Sequence, residues 1–219
     1  MLTRGFIVCY AFFSAKISKF GADNNTNAMK NVQLYDKSFK PYLTYDEIQK
    51  AVDAVAQKIN EDLKDEDAPI FLGVLTGSFM FFGDLMKRIE FPCEMCFIRL
   101  ASYEGTSTTG AVKQMLGLTT SVRGRNVVVV EDIVDTGGTI KELDQILKDA
   151  GARSIRYSTL LIKPGNYKGS IKIDYPALSI PNDFIVGYGL DYDQLGRNLK
   201  DIYVLDVEET ERRKGINIR

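Results

Sequence analysis

The most constraining feature of this sequence is the run VVVVEDIVDTGGT, which extends from Val127 to Thr139. Four consecutive valines favour a strand that is covered on both faces, as in a parallel sheet packed between helices. After the glycines of this run, apolar residues recur at helical spacing until Gly151. These apolar residues are Ile140, Leu143, Ile146, Leu147 and Ala150. The segment therefore predicts a strand, a tight turn and a helix, which is the repeating unit of an α/β fold.

Other parts of the chain show the same alternation. Thr44 opens a T-Y-D-E capping box before an amphipathic helix, and a second helix is predicted through FMFFGDLMKRI. Further strands are predicted at Ile70 to Leu75, near Glu94 to Leu100, at Asn126 to Ile133, at Ser154 to Ile162 and at Ile202 to Val207. Beyond Lys163, segments rich in Pro, Gly and Tyr break the pattern. We therefore predict an α/β fold with a mainly parallel central sheet flanked by helices and a small irregular hood.

Composition limits the classes of protein to which the chain can belong. Its 219 residues are 45% hydrophobic, which suits one globular domain with a good-sized core. Lysines and arginines number 28 against 29 acidic residues, so nucleic acid is a poor first candidate as a partner. The sequence contains no His, which excludes Ser-His and Cys-His nucleophile pairs and His-ligated metals. Proton transfer must therefore use a carboxylate, Lys, Tyr or Cys.

The three cysteines indicate a reducing compartment, because the count is odd and the chain is too long to need disulfides. Cys93 and Cys96 form a C-x-x-C pair, but the chain has no second pair and no His to complete a zinc site. The pair also begins a predicted strand, in which positions three apart face opposite ways. We therefore interpret both residues as structural.

The first 28 residues differ in character from the rest. Arg4 is followed by an apolar stretch that is too short to span a bilayer and lacks a clean cleavage site for a signal peptide. We expect residues 1–28 to be an N-terminal extension that is disordered or introduced by an upstream start codon. Residues 29–219 are expected to form a single domain, with a hood made from its N- and C-terminal parts.

The turn after the valines is suited to holding a phosphate. Gly137 and Gly138 let backbone N–H groups approach an anion, and the following helix start adds its partial positive charge. Thr136 and Thr139 contribute hydroxyl donors, and Asp135, directly before the turn, is expected to belong to the same 5-phosphate and ribose site. The turn is therefore predicted to bind the 5-phosphate of a sugar phosphate.

Acidic residues occupy the end of the predicted strand. Taken singly, Glu131, Asp132 or Asp135 would be better explained as turn or N-cap acids. Because they follow four buried valines as a set, we interpret them as functional. Glu131 and Asp132 suit the two hydroxyls of a ribose, either directly or through a magnesium ion (Mg2+).

This run resembles the phosphoribosyl pyrophosphate signature of type I phosphoribosyltransferases, and more narrowly of the hypoxanthine (hypoxanthine-guanine) phosphoribosyltransferases. The resemblance extends from about Met29 to the C-terminal region, whereas Rossmann and Walker phosphate motifs are absent from the sequence. It implies the type I fold and transfer of a 5-phosphoribosyl group from phosphoribosyl pyrophosphate to N9 of hypoxanthine, and of guanine. It also implies purine salvage with Mg2+ as cofactor, a cytoplasmic homodimer or homotetramer, and no nucleic-acid or membrane partner.

The resemblance assigns pyrophosphate binding to Leu75, Thr76 and Gly77, whose first peptide bond is expected to be cis, and to Arg197. Some relatives carry Lys where this chain has Thr76, so backbone amides are expected to do more of the binding. Ser102 and Tyr103 match the start of a lid loop that closes over the site, which would exclude water from a reactive ribosyl cation.

The resemblance also assigns the acceptor side of the reaction. Asp135 matches the catalytic acid that takes the N7 proton of the purine, and in a chain without His it is the best base on chemical grounds too. Lys163 aligns with a lysine that contacts the 6-oxo group. Phe184 would stack on the base, Ile185 would contact its edge through the backbone, and Asp191 would help hold magnesium near pyrophosphate. Gly138 departs from relatives that have Lys there.

Two alternatives remain open on sequence alone. A xanthine-guanine phosphoribosyltransferase would differ at backbone carbonyls around the purine, which the sequence does not position. A non-catalytic regulator on the same fold would bind nucleic acid through a basic face. The near-neutral charge balance, together with Asp135 and Lys163, counts against this regulator.

Overall fold

The computed structural model describes residues 30–101 and 113–215. The predictions for residues 1–28, Ser102 and Tyr103 lie outside these residues. Within them the helices are α1 (Tyr45–Leu63), α2 (Phe79–Met86), α3 (Gly138–Asp149) and α4 (Val207–Arg213). The strands are β1 (Val32–Leu34), β2 (Lys37–Leu43), β3 (Ile70–Val74), β4 (Glu94–Ala101), β5 (Lys113–Leu116), β6 (Asn126–Val134), β7 (Ser154–Ile162), β8 (Tyr175–Ser179), β9 (Ile185–Val186) and β10 (Ile202–Leu205).

A six-stranded sheet in the order β5-β4-β3-β6-β7-β8 forms the centre of the fold. The strands from β4 to β8 in this order pair in parallel, and β5 adds an antiparallel edge. The predicted mainly parallel α/β sheet is therefore confirmed. In such a sheet the carboxyl ends of neighbouring strands lie at the same edge, where binding sites of α/β proteins are found.

The alternating valines of β6 explain how the sheet is buried. Val128 and Val130 belong to the apolar core that includes α1 and α2. Val127 and Val129 face the other way, into the core that contains the apolar face of α3. Because successive strand residues point to opposite faces, helices must cover both sides. The four-valine run thus fixes the layered architecture.

A second sheet, with the antiparallel order β1-β2-β10-β9, forms the hood. Its strands come from the two ends of the described chain, and α4 is joined to it by the hydrogen bond from Ser38 N to Thr210 Oγ1 (2.9 Å). The hood is more regular than the sequence predicts. Its strands β1 and β9 have only three and two residues, so they give no clear alternating pattern in the sequence. The prediction that the last strand reaches Val207 is wrong, since Asp206 caps α4 by accepting a hydrogen bond from Glu209 N (3.2 Å).

The two described cysteines have no disulfide, and burial raises the pKa of both thiols. Cys96 is buried within the core on the α3 side of the sheet, while Cys93 packs against the opposite core. A thiol whose pKa is raised by burial is a poor nucleophile and a poor metal ligand. The structure thus agrees with the interpretation of these residues as structural.

Of the helices that the structure describes, none has the length and apolar character needed to cross a membrane.

Candidate active site

A cleft of about 670 Å³ opens at the carboxyl ends of β3 and β6, which are neighbours in the sheet. The two turns that follow these strands therefore meet there. The lining includes the residues predicted for the sugar phosphate and for pyrophosphate. They are Leu75, Thr76, Gly77, Glu131, Asp132, Asp135, Thr136, Gly137, Gly138, Thr139, Asp191 and Arg197.

The phosphate turn, Asp135–Thr139, joins β6 to α3. Gly137 is the N-cap of α3 with a φ of 90°, and it makes no side-chain capping bond. The first N–H groups of a helix have no partner within the helix, so an anion can accept from them here. A Cβ at residue 137 would collide with the ring of Tyr167, which packs directly on the turn. Glycine is therefore needed at this position for both its backbone angle and its close contact.

Glu131 and Asp132 form a buried acidic pair at the end of β6. Burial, and then the charge of Asp132, raises the pKa of Glu131 well above its ordinary value. Burial also raises the pKa of Asp132, although Arg197 opposes this change. The Oε2 atom of Glu131 is buried and has no hydrogen-bond partner in the described part of the chain. A donor or a cation from outside the protein would therefore satisfy this atom.

This unmet need fits a magnesium ion or ribose hydroxyls, since Mg²⁺ prefers oxygen ligands. Asp191 lies elsewhere in the cleft, where its Oδ1 pairs with Arg197 (2.7 Å) and its Oδ2 accepts from Gln194 N (2.8 Å). Among the described residues no group of three acidic or sulfur ligands is close enough to hold a metal by itself. Magnesium in proteins commonly completes its coordination shell with water and substrate phosphate. One or two carboxylates, from the Glu131–Asp132 pair or from Asp191, are therefore enough to bind such an ion.

The turn after β3 carries the expected cis peptide between Leu75 and Thr76, and this prediction is confirmed. Gly77 lies against the carboxylate of Asp132, so closely that a Cβ would overlap it. The C-terminal segment closes over the same turn, because Gly189 packs on the carbonyl of Gly77. The turn after β3 therefore contacts both the acidic pair, through Asp132, and the C-terminal segment, through Gly189.

Arg197 is held in position from two sides. One guanidinium nitrogen pairs with Asp191 and another donates to the carbonyl of Gly189 (2.8 Å). A planar guanidinium with its remaining donors in a fixed fork is well suited to phosphate oxygens. Arg197 thus supplies a preorganised positive charge at the cleft.

Asp135 accepts hydrogen bonds from two neighbours, and it is not the helix cap that a structural interpretation would make it. Lys163 Nζ lies 3.0 Å from Oδ2, and Asn166 Nδ2 lies 2.8 Å from Oδ1. The bond from Asn166, followed by that from Lys163, lowers the pKa of Asp135. The carboxylate is therefore ionised at neutral pH and able to accept a proton.

The predicted purine residues are only partly gathered at this cleft. Lys163 is buried and reaches it through Asp135. Phe184 and Ile185 lie on the hood side and do not line it. Phe184 is 44% exposed, and its ring packs edge-on against Tyr192 at a centroid distance of 5.9 Å. Phe184 is thus partly accessible to solvent.

Sequence reasoning missed Asn166 and Tyr167, which follow β7 and touch the phosphate turn. The Pro-Gly-Asn sequence from Pro164 to Asn166 indicates a turn, but no local pattern links it to residues about thirty positions earlier. Only the parallel pairing of β6 with β7 brings the two loops together. These contacts are consequences of topology.

Replacing Gly189 with Ala should lower the free energy of unfolding by about 2 kcal/mol, because a Cβ would meet the Gly77 carbonyl and φ is +102°. Urea titration would measure the loss. Gly83→Ala is the matched control, since its position in α2 has open space around it, and it should gain about 0.5–1 kcal/mol. Equal stability of the two variants would contradict the close packing of Gly189.

Comparison with known proteins agrees with this geometry. A family model described as "Phosphoribosyl transferase domain" matches residues 42–193. A hypoxanthine-guanine phosphoribosyltransferase of Streptococcus pneumoniae (strain ATCC BAA-255 / R6) is 39% identical over 170 residues, which cover 77% of this chain and 94% of the relative. One from Bacillus subtilis (strain 168) is 40% identical over 167 residues, covering 76% and 92%.

Among solved structures, a hypoxanthine phosphoribosyltransferase from Staphylococcus aureus superimposes with a TM-score of 0.72 at 36% sequence identity. The match covers 78% of this chain and 92% of that chain. Sequence identity, coverage and fold thus point to the same group of proteins. The chain belongs to the phosphoribosyl transferase domain family, among its hypoxanthine-guanine phosphoribosyltransferases.

Proposed function

We propose that the protein transfers the 5-phosphoribosyl group of phosphoribosyl pyrophosphate to N9 of hypoxanthine and guanine, releasing pyrophosphate. The observation that carries the proposal is the arrangement around Asp135. Its carboxylate is ionised, pairs with Lys163 at 3.0 Å and directly adjoins a helix start whose N–H groups no side chain of the described residues caps. This arrangement supports a base, a cation and a phosphate site at one sheet edge.

The Lys163–Asp135 pair matches one edge of a 6-oxopurine. An ammonium only donates, so Lys163 complements the O6 acceptor and disfavours the 6-amino group of adenine. An ionised carboxylate only accepts, so Asp135 complements the N7 proton. Because O6 and N7 are adjacent on the purine, paired side chains can contact both at once. This pairing supports hypoxanthine or guanine as the acceptor.

Each part of the sugar donor has a suited partner in the cleft. The phosphate turn would bind the 5-phosphate, and the acidic pair would accept from the ribose hydroxyls or hold magnesium. Arg197, Asp191 and the Leu75–Gly77 turn would bind the pyrophosphate side. Magnesium supplies charge neutralisation of the phosphates when it is bound.

In the reaction, the bond from the anomeric carbon to the pyrophosphate oxygen breaks and the bond to purine N9 forms. Asp135 takes the proton that leaves N7, so the purine product is neutral and pyrophosphate carries away the bonding electron pair. Its negative charge also stabilises the positive charge that develops on the ribose. Ser102 and Tyr103 are proposed to begin the lid that excludes water during this step.

A panel of purines at fixed magnesium and phosphoribosyl pyrophosphate tests the proposal. Hypoxanthine and guanine should give nucleotide, and adenine should give almost none. Nucleotide from no 6-oxopurine would refute the function. A preference for xanthine over hypoxanthine would instead support a xanthine-guanine enzyme.

Replacing Lys163 with Met should raise KM for hypoxanthine roughly tenfold, because a donor to O6 is lost from a buried position. Steady-state assays with varied hypoxanthine would measure the change. Lys172→Met is the control, since Lys172 is exposed and pairs with Asp174. If the two variants had the same KM, Lys163 would have no role in purine binding.

Residues 29–219 are proposed to act as one domain, which is supported by a hood sheet that combines strands from both parts of the chain. A homodimer or homotetramer in the cytoplasm is expected from the resemblance. Light scattering on the purified protein would check the oligomeric state.

A further inference from the structure

The loop after β7 approaches the cleft through a tight turn. Lys163 O accepts a hydrogen bond from Asn166 N at 3.0 Å, and Pro164 and Gly165 occupy the two central positions. Proline and glycine at these positions are typical of β-turns. The turn therefore fixes Asn166 relative to Lys163, and both side chains reach the same carboxylate, that of Asp135.

Asn166 uses a single nitrogen to join two loops. Its Nδ2 donates to Asp135 Oδ1 at 2.8 Å and to Asn182 Oδ1 at 2.6 Å. An amide nitrogen has two hydrogens, so it can serve both acceptors, whereas the flipped amide would set oxygen against oxygen. The orientation of this amide is thus determined by its two partners.

Both oxygens of Asp135 are held by these contacts. Lys163 donates to Oδ2 and Asn166 donates to Oδ1. A carboxylate oxygen has two acceptor positions, so each oxygen keeps one for another proton. The carboxylate is consequently fixed in direction while it remains able to act as a base.

We propose that Asn166 is a positioning residue, which holds the Asp135 carboxylate in its proton-accepting orientation and ties it, through Asn182, to the loop that carries Phe184. This inference rests on the proposed function. Asn182 directly precedes Asp183 and Phe184, so the position of the purine-stacking ring is linked to the position of the base. Asn166 acts through Asp135 and does not itself contact the reacting atoms.

Replacing Asn166 should change the pKa of Asp135 without changing the charges around it. Lys163 is its ion-pair partner, and replacement of Asn166 leaves that pair in place. The other charged groups that line the cleft also stay unchanged, namely Glu131, Asp132, Glu142, Asp191 and Arg197. The bond from Asn166 is the largest contribution that lowers the pKa of Asp135, so its removal raises that pKa.

The kinetic test compares Asn166→Ala with the wild type. We expect kcat/KM for hypoxanthine at neutral pH to fall about tenfold, since a hydrogen bond to a charged but partly exposed group is lost. A base must be ionised, so activity is lost as pH falls through its pKa, and the acid limb of the profile should move to higher pH. Ser170→Ala, an exposed change in the same loop, is the control and should match the wild type. An unchanged acid limb in Asn166→Ala would overturn the proposal.

A direct titration separates this inference from the function. The carboxyl carbon of Asp135 can be followed by NMR in protein labelled at aspartate, and Asp135→Asn assigns its signal. The pKa of Asp135 should be higher in Asn166→Ala than in the wild type. No difference would overturn the positioning role even if the wild type forms nucleotide. A wild type that forms no nucleotide would refute the function and leave this titration to decide the role of Asn166.

The link from Asp135 through Asn166 to Asn182 can be tested separately. Asn182→Ala removes one of the two acceptors and should shift the acid limb in the same direction as Asn166→Ala, by a smaller amount. In the double variant the two effects should not add, because Asn182 acts only through Asn166. Full additivity would overturn the link.

Discussion

Asp135→Asn is expected to lower kcat by roughly 10²–10⁴-fold, the range that a general acid or base contributes. The amide keeps the shape of the side chain but cannot take the N7 proton at neutral pH. Its charge is also missing where positive charge develops on the ribose. Binding of phosphoribosyl pyrophosphate should change little, because the helix start and the acidic pair remain.

The control is a variant that loses the same charge outside the cleft. Asp149 lies at the C-terminal end of α3, where its carboxylate accepts only from Gln145 in the described structure, so Asp149→Asn is suitable. This variant should keep the activity of the wild type. Steady-state assays would give kcat, and calorimetry would give Kd for the sugar donor. A kcat of Asp135→Asn close to that of Asp149→Asn would contradict the assignment of the base.

Glu131→Gln is expected to change stability and binding in opposite directions. The buried Oε2 atom has no partner in the described chain and faces a second carboxylate, so removing the charge should raise the free energy of unfolding by about 1–3 kcal/mol. The amide is a poorer ligand for magnesium and for ribose hydroxyls. Affinity for phosphoribosyl pyrophosphate with magnesium should therefore fall roughly 10- to 100-fold.

The stability gain should depend on pH. The pKa of Glu131 is raised in the folded protein, so the folded state retains a proton at pH values where the unfolded chain has lost it. The stability linked to this proton is fully present below the ordinary carboxyl pKa and is lost as pH rises through the folded value. The variant should therefore differ little from the wild type near pH 4 and increasingly towards neutral pH.

Urea titrations of both proteins at two pH values would measure this difference. Glu61→Gln, an exposed change on α1, is the control and should be neutral at both. A Glu131→Gln protein that is less stable than the wild type at neutral pH would contradict the interpretation that the charge of Glu131 destabilises the fold and serves ligand binding.

Four strands of the central sheet, β3, β4, β6 and β7, could be predicted because they carry strong local signals, whereas the edge strands β5 and β8 were not predicted. The valines of β6, the uniformly apolar β3 and the capping box before α1 are each confirmed. Such signals depend on burial from both faces, which leaves little freedom in residue choice. The strand β7 even has the bounds that the sequence predicts.

The hood could not be predicted in the same way. The strand β9 has only two residues, and β1 has three, so neither shows an alternating pattern. Their pairing depends on contacts between distant parts of the chain. The end of β10 was misjudged because Val207 is apolar, although Asp206 marks a helix start.

The site residues also differ in how far the sequence predicts them. The phosphate turn and its acids follow one strand and can be recognised as a unit. The partners of Asp135 follow the next parallel strand, and only sheet order makes them neighbours. Lys163 was predicted from family resemblance as a purine contact, and its bond to Asp135 emerged only from the fold. For Asn166 the sequence indicates a turn but not the contact with Asp135.

The proposed reaction in this cleft joins a phosphoribosyl group to a 6-oxopurine. Its most direct test is to incubate the protein with hypoxanthine, phosphoribosyl pyrophosphate and magnesium, and to quantify nucleotide and pyrophosphate together. We expect inosine monophosphate and pyrophosphate in equal amounts, and almost none of either with Asp135→Asn. Absence of nucleotide from the wild type, or equal formation by the variant, would contradict the proposed reaction.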